Sequence, residues 1–456
     1  MRIHIIAIGG SIMHNLAIDL KKNGHIVTGS DDDIHEPSLS RLKLHDLLPE
    51  KIGWFPEKIT KDIDIVILGM HARKDNPELI RAQELGLKIY SYPEFIYHNS
   101  INKKRIVIGG SHGKTTITSM ILHVMKKNNF AMDYLVGAQI QGFDTMVKIT
   151  NDNSVLVAEG DEYLASPIDL RPKFLIYRPH IAVISGIAWD HINVFPTFEN
   201  YLKAFEDFIY SIESDGVLIY NQLDAQIDSL VQKANRNDLR YISYSFPEYN
   251  IKDGKVHILL HDKKFPLKIF GKHNLQNLEA ARLVCGQLDI PDEQFYSSIS
   301  DFEGASKRLE KWIETKELLV YRDFAHAPSK VKATIDAVKE LYPDKKMIAA
   351  FELHTYSSLN EKFLSEYKDV LKQAEHRIVY FDAHTLEIKK MPPLDKQFIQ
   401  QQFNDEKLIV VDNKENLLKY LREININNKV LLLMSSGTFS NLTKDELLGL
   451  SNVINV

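Results

Sequence analysis

Short apolar runs alternate with amphipathic stretches along most of the chain. Near the N-terminus, "RIHIIAIGG" predicts a strand and "SIMHNLAIDLKKNG" predicts a helix ended by Gly24. "HIVTGSDD" predicts a second strand, "DIDIVILGM" a later one, and "NPELIRAQELG" a capped helix. Alternation of this kind predicts a parallel sheet with helices packed on it. The polar stretch "YHNSINKKR" then reads as a linker. From Arg105 the pattern restarts with a new strand, so a second α/β domain begins there and runs to about residue 300. A third section opens near "FEGASKRLEKW", with strands "ELLVYRDFAH", "KMIAAFEL" and "KVLLLMSSG" between helices. No repeat and no low-complexity tract interrupts the pattern.

Composition narrows the class. A chain of 456 residues exceeds one core, and length alone suggests about two to four domains. With 44% hydrophobic residues it can bury a sizeable interior. Net charge is −5, with acidic and basic residues interspersed, so nucleic acid is not an expected partner. An anionic substrate must then be held by local donors. The single cysteine, Cys285, excludes an intrachain disulfide and a cysteine-built metal site. The N-terminus has no signal-peptide shape, and no apolar stretch approaches the roughly 18 residues of a membrane span. The expectation is a cytoplasmic protein without membrane contact.

Candidate chemistry starts at "RIVIGGSHGKTTITSM", residues 105–120. Arg105 to Ile108 is the strand. Ile117, Met120, Ile121, Val124 and Met125 share one helical face at i, i+3, i+4, i+7 and i+8. Gly109, Gly110 and Gly113 let the backbone approach oxygen closely, and the helix N-terminus offers free N–H groups. Lys114 can reach β- and γ-phosphates, and Thr115 or Thr116 can offer a hydroxyl to Mg²⁺. The spacing is one residue short of the strict P-loop pattern. The plain alternative is a Gly-rich strand–helix turn, but Gly-Lys-Thr-Thr at a helix start favours phosphate. "SVLVAEGDEY" adds carboxylates Glu159, Asp161 and Glu162 at a strand end, and "HIAVISGIAWDHINVF" adds Asp190 and His191. In a parallel sheet these ends lie along the edge that carries the phosphate loop. Oxygen donors of this kind suit Mg²⁺.

Six segments in order, "GGSHGKTT", "AEGDEY", "WDHINVF", "GKHNLQNLEAA", "KRLEKW" and "DFAHAPSKV", resemble the motif series of the Mur ligases, ATP-dependent ligases of peptidoglycan precursors. The resemblance covers nearly the whole chain. It implies an α/β protein of three domains: an N-terminal Rossmann-like domain for the uridine nucleotide (1–100), a central P-loop ATPase-like domain with a parallel or mixed sheet (101–304), and a C-terminal Rossmann-like domain for the amine (305–456). It implies that ATP phosphorylates a substrate carboxylate and that an amine attacks the acyl phosphate. Gly110, Ser111, His112, Gly113, Lys114, Thr115 and Thr116 would hold the phosphates. Asn274 and Asn277 would read adenine, with Asn274 also readable as a helix cap. Arg308 and Asp323 would contact the nucleotide, although without the family a surface ion pair is the simpler reading. Thr115, Glu159 and His191 would hold Mg²⁺, with Lys114, Glu159 and His191 as the catalytic set. Most family members carry a lysine, carbamylated in use, in the stretch matching "YLKAFEDF". Phe205 takes that slot here, and Lys203 is out of step.

The N-terminus resembles the branches that use UDP-N-acetylmuramate. There Gly9, Gly10 and Ser11 would sit at the diphosphate, with Ser30, Asp31 and His71 completing the uridine-nucleotide site. The glycine pair does not match G-x-G-x-x-G, so a nicotinamide dinucleotide is not expected. "EGDEYLASPIDLRPKFLIYRP" and "LLLMSSGTFSNL" resemble the branch that attaches L-alanyl-γ-D-glutamyl-meso-diaminopimelate, a murein tripeptide, in cell-wall recycling. That is the expected reaction, with L-alanine addition in peptidoglycan biosynthesis as the alternative. Arg171, Lys173 and Arg178 are available as cations for a charged tripeptide. His326, Glu352 and His354 are the expected amine-side residues. The alanine-adding branch has H-R-Y-T/S-R near here, whereas this chain reads "HTYSS" without either arginine, and the tripeptide-adding branch is not matched there either. A monomer or weak dimer is expected. Two rival classes are a non-catalytic P-loop switch, which would not carry the "DFAHAPSKV" series, and a folyl- or cyanophycin-type ligase, which lacks a separate uridine domain.

Overall fold

The computed structural model describes residues 1–189, 194–252, 254–304 and 308–451. Among the described residues, four sheets account for the strands. The first joins β1 (Arg2–Ile6), β2 (Ile26–Ser30), β3 (Ile65–Leu68) and β4 (Ile89–Ser91) in the order β2-β1-β3-β4. Every pairing in it is parallel. Its helices begin where the sequence signals them. Asn76 accepts from the N–H groups of Glu78 and Leu79 at the head of Pro77–Glu84.

The second sheet holds β5 (Lys104–Gly109), β6 (Asp133–Leu135), β7 (Val147–Lys148), β8 (Val155–Glu159), β9 (Ile181–Ile184), β10 (Val217–Asn221) and β11 (Arg240–Tyr244), ordered β11-β10-β9-β5-β8-β6-β7. It is parallel except for the edge strand β7, which runs antiparallel to β6. Its central strands read as continuous apolar runs because both faces are covered: all five residues of β8 and all four of β9 are buried.

A small antiparallel sheet follows, with β12 (Tyr249–Lys252), β13 (Lys255–Leu260) and β14 (Lys263–Leu267). The last sheet contains β15 (Glu310–Glu314), β16 (Leu319–Asp323), β17 (Met347–Glu352), β18 (His376–Tyr380), β19 (Leu408–Val411) and β20 (Val430–Met434), ordered β15-β16-β20-β17-β18-β19. Only the pairing of β15 with β16 is antiparallel. The α/β class and the strands read from the sequence are present.

The chain divides into two compact units, residues 1–246 with 276–299, and residues 247–275 with 300–456. The first two sheets share the first unit. Residues 247–275, with the small antiparallel sheet, cluster with the later part of the chain.

The stretch expected as a linker is anchored in the first unit by two buried polar residues, Lys103 and Arg105. The Arg105 guanidinium donates to the carbonyls of Tyr177, Arg178, Ser100 and Ile101 and to Glu213. Lys103 is paired with the buried Asp133. These two charges satisfy buried carbonyl and carboxylate groups, whereas His98, Asn102 and Lys104 are exposed. Among the described residues, no helix is long and apolar enough to cross a membrane.

Candidate active site

The phosphate loop connects β5 to the helix Lys114–Lys127. The helix starts at Lys114, ahead of the first apolar position of its face, Ile117. It is buried nearly all round, from Thr115 to Leu122 and again at Val124 and Met125. Two glycines are required by geometry. Gly113 has φ +81, and a Cβ there would lie 2.4 Å from Asn277 Oδ1. Gly110 has φ +135, and a Cβ there would lie 2.1 Å from Ser185 Oγ. A side chain at either position meets both strain and a collision.

Around this loop the expected residues converge. Lys114 Nζ donates to Gly110 O at 2.6 Å and to Glu162 Oε2 at 2.8 Å. Thr115 Oγ1 donates to Glu159 Oε1 at 2.9 Å, and the Gly137 N–H donates to Glu159 Oε2 at 2.7 Å. Ser111 Oγ accepts the Ala188 N–H at 2.7 Å and lies 3.0 Å from the Tyr201 hydroxyl. The His112 ring lies against Gly186, where a Cβ would come within 2.3 Å of it. Thr116 is buried in the first turn. Asn277 stands beside Gly113 at the head of the loop.

Electrostatics sharpen the site. Burial opposes the charge on Lys114, but Glu162, then Asp161 and Glu159, outweigh it and hold its pKa above the usual lysine value. Burial and the nearby Asp161 push the Glu159 carboxyl up, while Lys114, the Gly137 N–H and Thr115 oppose the shift. The loop thus holds a buried ammonium and a cluster of carboxylates in mutual balance. Incoming phosphate would disturb that balance. Thr115 Oγ1 and Glu159 Oε1 are a hydroxyl–carboxylate pair of the oxygen type that suits Mg²⁺, so these residues fit the expected metal. His191 and Asp190 lie outside the described residues.

The helix Phe198–Tyr210 carries the position where most family members have lysine. Phe205 is fully buried there, edge-on to Phe174 at 5.5 Å and to Tyr201 at 5.2 Å. Lys203 points elsewhere and pairs with Asp207 and Glu206. An aromatic cluster replaces a charged group.

Glu162, and two residues that the sequence did not single out, Tyr201 and Ser185, contact the residues of the loop. Glu162 was visible only as one of three carboxylates. Tyr201 reads as a core aromatic in a helix, and Ser185 carries no motif. Only contact with Lys114, Ser111 and the loop backbone reveals them.

In the N-terminal sheet, the loops after β1, β2 and β3 meet at the C-terminal strand edge. The Gly9 N–H donates to Asp31 Oδ2 at 2.7 Å, and Asp31 also accepts from Asp32 N–H at 2.9 Å. Gly10 precedes the helix Ser11–Lys22, and Ser11 is exposed at its first position. Ser30 is buried at the end of β2, and burial raises the Asp31 carboxyl despite its N–H donors. His71 is exposed after β3.

The second unit, taken by itself, holds the other expected residues. Asn274 does not cap its helix. It lies inside Lys272–Gly286, and its side-chain amide donates to Phe270 O at 2.9 Å. Arg308 and Asp323 have separate partners. The Arg308 guanidinium lies 4.8 Å over the Phe324 ring, whereas Asp323 accepts from the N–H groups of Leu309 and Ala325. The ion-pair reading of these two is therefore corrected. His326 Nδ1 lies 2.9 Å from Phe324 O. Glu352 is buried at the end of β17, bonded to Ser435 and to the Phe439 N–H, with His354 Nδ1 3.7 Å away. A cavity of about 250 Å³ opens between Asp323 and the 435–442 turn. Asp323 and Gly437 both line it.

Comparison with known proteins identifies the family and the fold. Residues 2–103 match the Mur ligase family, catalytic domain; residues 108–285 match the Mur ligase middle domain; and residues 307–437 match the Mur ligase, glutamate ligase domain. The UDP-N-acetylmuramate–L-alanine ligase of Caldicellulosiruptor bescii is 33% identical over 389 residues, 82% of each protein. Two solved structures share the fold. The UDP-N-acetylmuramate-alanine ligase of Thermotoga maritima has a TM-score of 0.71 at 18% identity, covering 98% of this chain and 99% of that one. The murein peptide ligase of Psychrobacter arcticus has a TM-score of 0.63 at 20% identity over the full length of both. The chain belongs to the Mur ligase family, and it is an ATP-dependent ligase that forms an amide bond.

Proposed function

We propose that this ligase joins a carboxylate of UDP-N-acetylmuramate to the amine of L-alanine. The γ-phosphoryl group of ATP would pass to a carboxylate oxygen, releasing ADP and leaving an acyl phosphate. The amine nitrogen would then attack the carbonyl carbon. A C–N bond forms, the C–O bond to phosphate breaks, and the nitrogen loses a proton.

The observation that carries the ligase chemistry is the convergence of Lys114, Thr115 and Glu159 on one loop. Lys114 would hold the β- and γ-phosphates and offset charge developing on the transferred group. Thr115 and Glu159 would hold Mg²⁺, which when bound neutralises phosphate charge. Asn277 beside Gly113 would meet the nucleotide at the loop. We assign residues 1–100 to the uridine nucleotide, 101–304 to ATP and 305–456 to the amine, with His326, Glu352 and His354 on the amine side.

L-alanine takes precedence over the murein tripeptide for two reasons. The relative with 33% identity carries the alanine-adding name. The three cations available for a charged tripeptide have local partners: Arg171 with Asp169 and Glu94, Lys173 with Asp161 at 3.4 Å, and Arg178 with Glu213 at 3.3 Å. The tripeptide stays as a second reading because the spacing from Asp169 to Pro179 and the "MSSGTF" turn match that branch.

The deciding experiment measures phosphate release from Mg²⁺-ATP and UDP-N-acetylmuramate with either amine. Turnover with L-alanine is expected. Turnover with the tripeptide alone would reverse the assignment, and no turnover with either would remove both.

A further inference from the structure

The environment of Lys114 holds more than a phosphate-binding loop requires. Its ammonium is nearly enclosed, with the side chain 12% exposed. Its carboxylate partner, Glu162, has no exposed side-chain surface. Glu162 Oε2 takes the ammonium at 2.8 Å, and Oε1 lies 3.3 Å from the Tyr201 hydroxyl. Tyr201 is itself fully buried and touches Ser111 of the phosphate loop. Ser111 in turn receives the Ala188 N–H beyond β9. A continuous polar chain therefore runs from the lysine through Glu162 and Tyr201 back to the same loop.

The carboxylates at this strand end are divided in role. Glu159 faces the Thr115 hydroxyl and the Gly137 N–H, on the side expected to hold metal. Glu162 faces the ammonium. A buried carboxylate is costly unless it is paired, so the position is maintained by Lys114 as much as it maintains Lys114. Triphosphate entering the loop brings negative charge toward the same ammonium.

We propose that Glu162, held by Tyr201, is the positioning residue for Lys114, fixing the ammonium over the phosphate loop and competing with the triphosphate for it. The competition lowers ATP affinity. In exchange, the ammonium is already placed when the phosphoryl group moves, so charge is offset without reorganisation. The kinetic consequence rests on the ligase reading above, and the binding consequence rests only on the phosphate loop.

The test uses the full chain with Glu162→Gln, which keeps the shape and an oxygen for Lys114 but removes the charge. Titration calorimetry with Mg²⁺-ATP is expected to show binding tighter by about 3- to 10-fold, since a close like charge is removed. Amine-dependent turnover is expected to fall by about 10- to 100-fold in kcat without a rise in the KM for ATP. Tyr201→Phe should move both quantities the same way by less. Glu162→Asp restores the charge and should return ATP affinity toward the parent value.

Equal or weaker ATP binding in Glu162→Gln, in protein whose circular dichroism matches the parent, overturns the proposal. So does an unchanged kcat. If the parent binds ATP but turns over neither amine, the ligase reading fails while the titration still decides the role of Glu162. If the parent does not bind ATP, both fall.

Discussion

Gly113 shows how much one residue of the loop decides. Its φ of +81 is left-handed, and its missing Cβ leaves room for Asn277 Oδ1 at 2.4 Å from where that atom would sit. Gly113→Ala therefore meets a strained backbone and a collision at once. The expected cost is about 1–3 kcal/mol of stability, read by urea unfolding. Mg²⁺-ATP binding is expected to weaken by at least about tenfold, since the helix start must move to admit the methyl group. Parental affinity in a folded Gly113→Ala would remove this glycine from the site. The sequence alone marked Gly113 and Lys114, because the spacing of a phosphate loop is local backbone geometry. It did not mark Ser185 or Tyr201, whose partners Gly109 and Ser111 lie 76 and 90 positions away.

At the scale of elements, the helix Ser11–Lys22 does something its amphipathic pattern does not announce. Asn15, Asp19 and Asn23 fall at i, i+4 and i+8 and reach the backbone around β7. Asn15 Oδ1 accepts the Met146 N–H, Asp19 Oδ2 accepts the Ile149 N–H at 2.8 Å, and Asn23 donates to Ile149 O. These bonds cover the open edge of the seven-stranded sheet, which would otherwise be free to pair.

Burial pushes the Asp19 carboxyl up to about 6, against the Ile149 N–H; Asp133 adds to the rise and Lys148 and Lys22 oppose it. An unfolded aspartate titrates near about 3.9, so between these values the folded chain binds the proton more readily. The contribution of Asp19 to stability is therefore fully present below about pH 4 and is lost as pH rises through 6. Asp19→Asn keeps an oxygen for Ile149 and removes the charge. Its stability relative to the parent should rise by about 1–3 kcal/mol between pH 4 and pH 7, read by urea unfolding across that range. A difference that stays flat with pH would show that Asp19 is not protonated more readily in the fold.

For the whole molecule, ligand linkage provides the broadest check. Mg²⁺-ATP at about a hundred times its Kd should stabilise the chain by about 2.7 kcal/mol, seen as a rise in the thermal midpoint. Lys114→Ala should abolish most of that rise, and it should also lower the unliganded midpoint, because it takes the ammonium away from the buried Glu162 carboxylate. An equal rise in the variant would place the nucleotide elsewhere. The sequence by itself determined the α/β class, the strands of the parallel sheets, the glycine-rich turn between β5 and its helix, and the family, because alternating apolar runs and short motifs are set by neighbours a few residues apart. Only the tertiary structure decided that "YHNSINKKR" is anchored through its buried Lys103 and Arg105, since the Arg105 guanidinium donates to carbonyls up to 73 positions away. The tertiary structure also separated Arg308 from Asp323, gave residues 247–275 to the second unit, and joined Glu352 to the turn at Ser435 and Phe439. It also placed Glu162 on Lys114 from 48 positions along the chain, with Tyr201 behind it. Each of these depends on which strand ends meet along a sheet edge, and hydrophobic periodicity does not encode strand order.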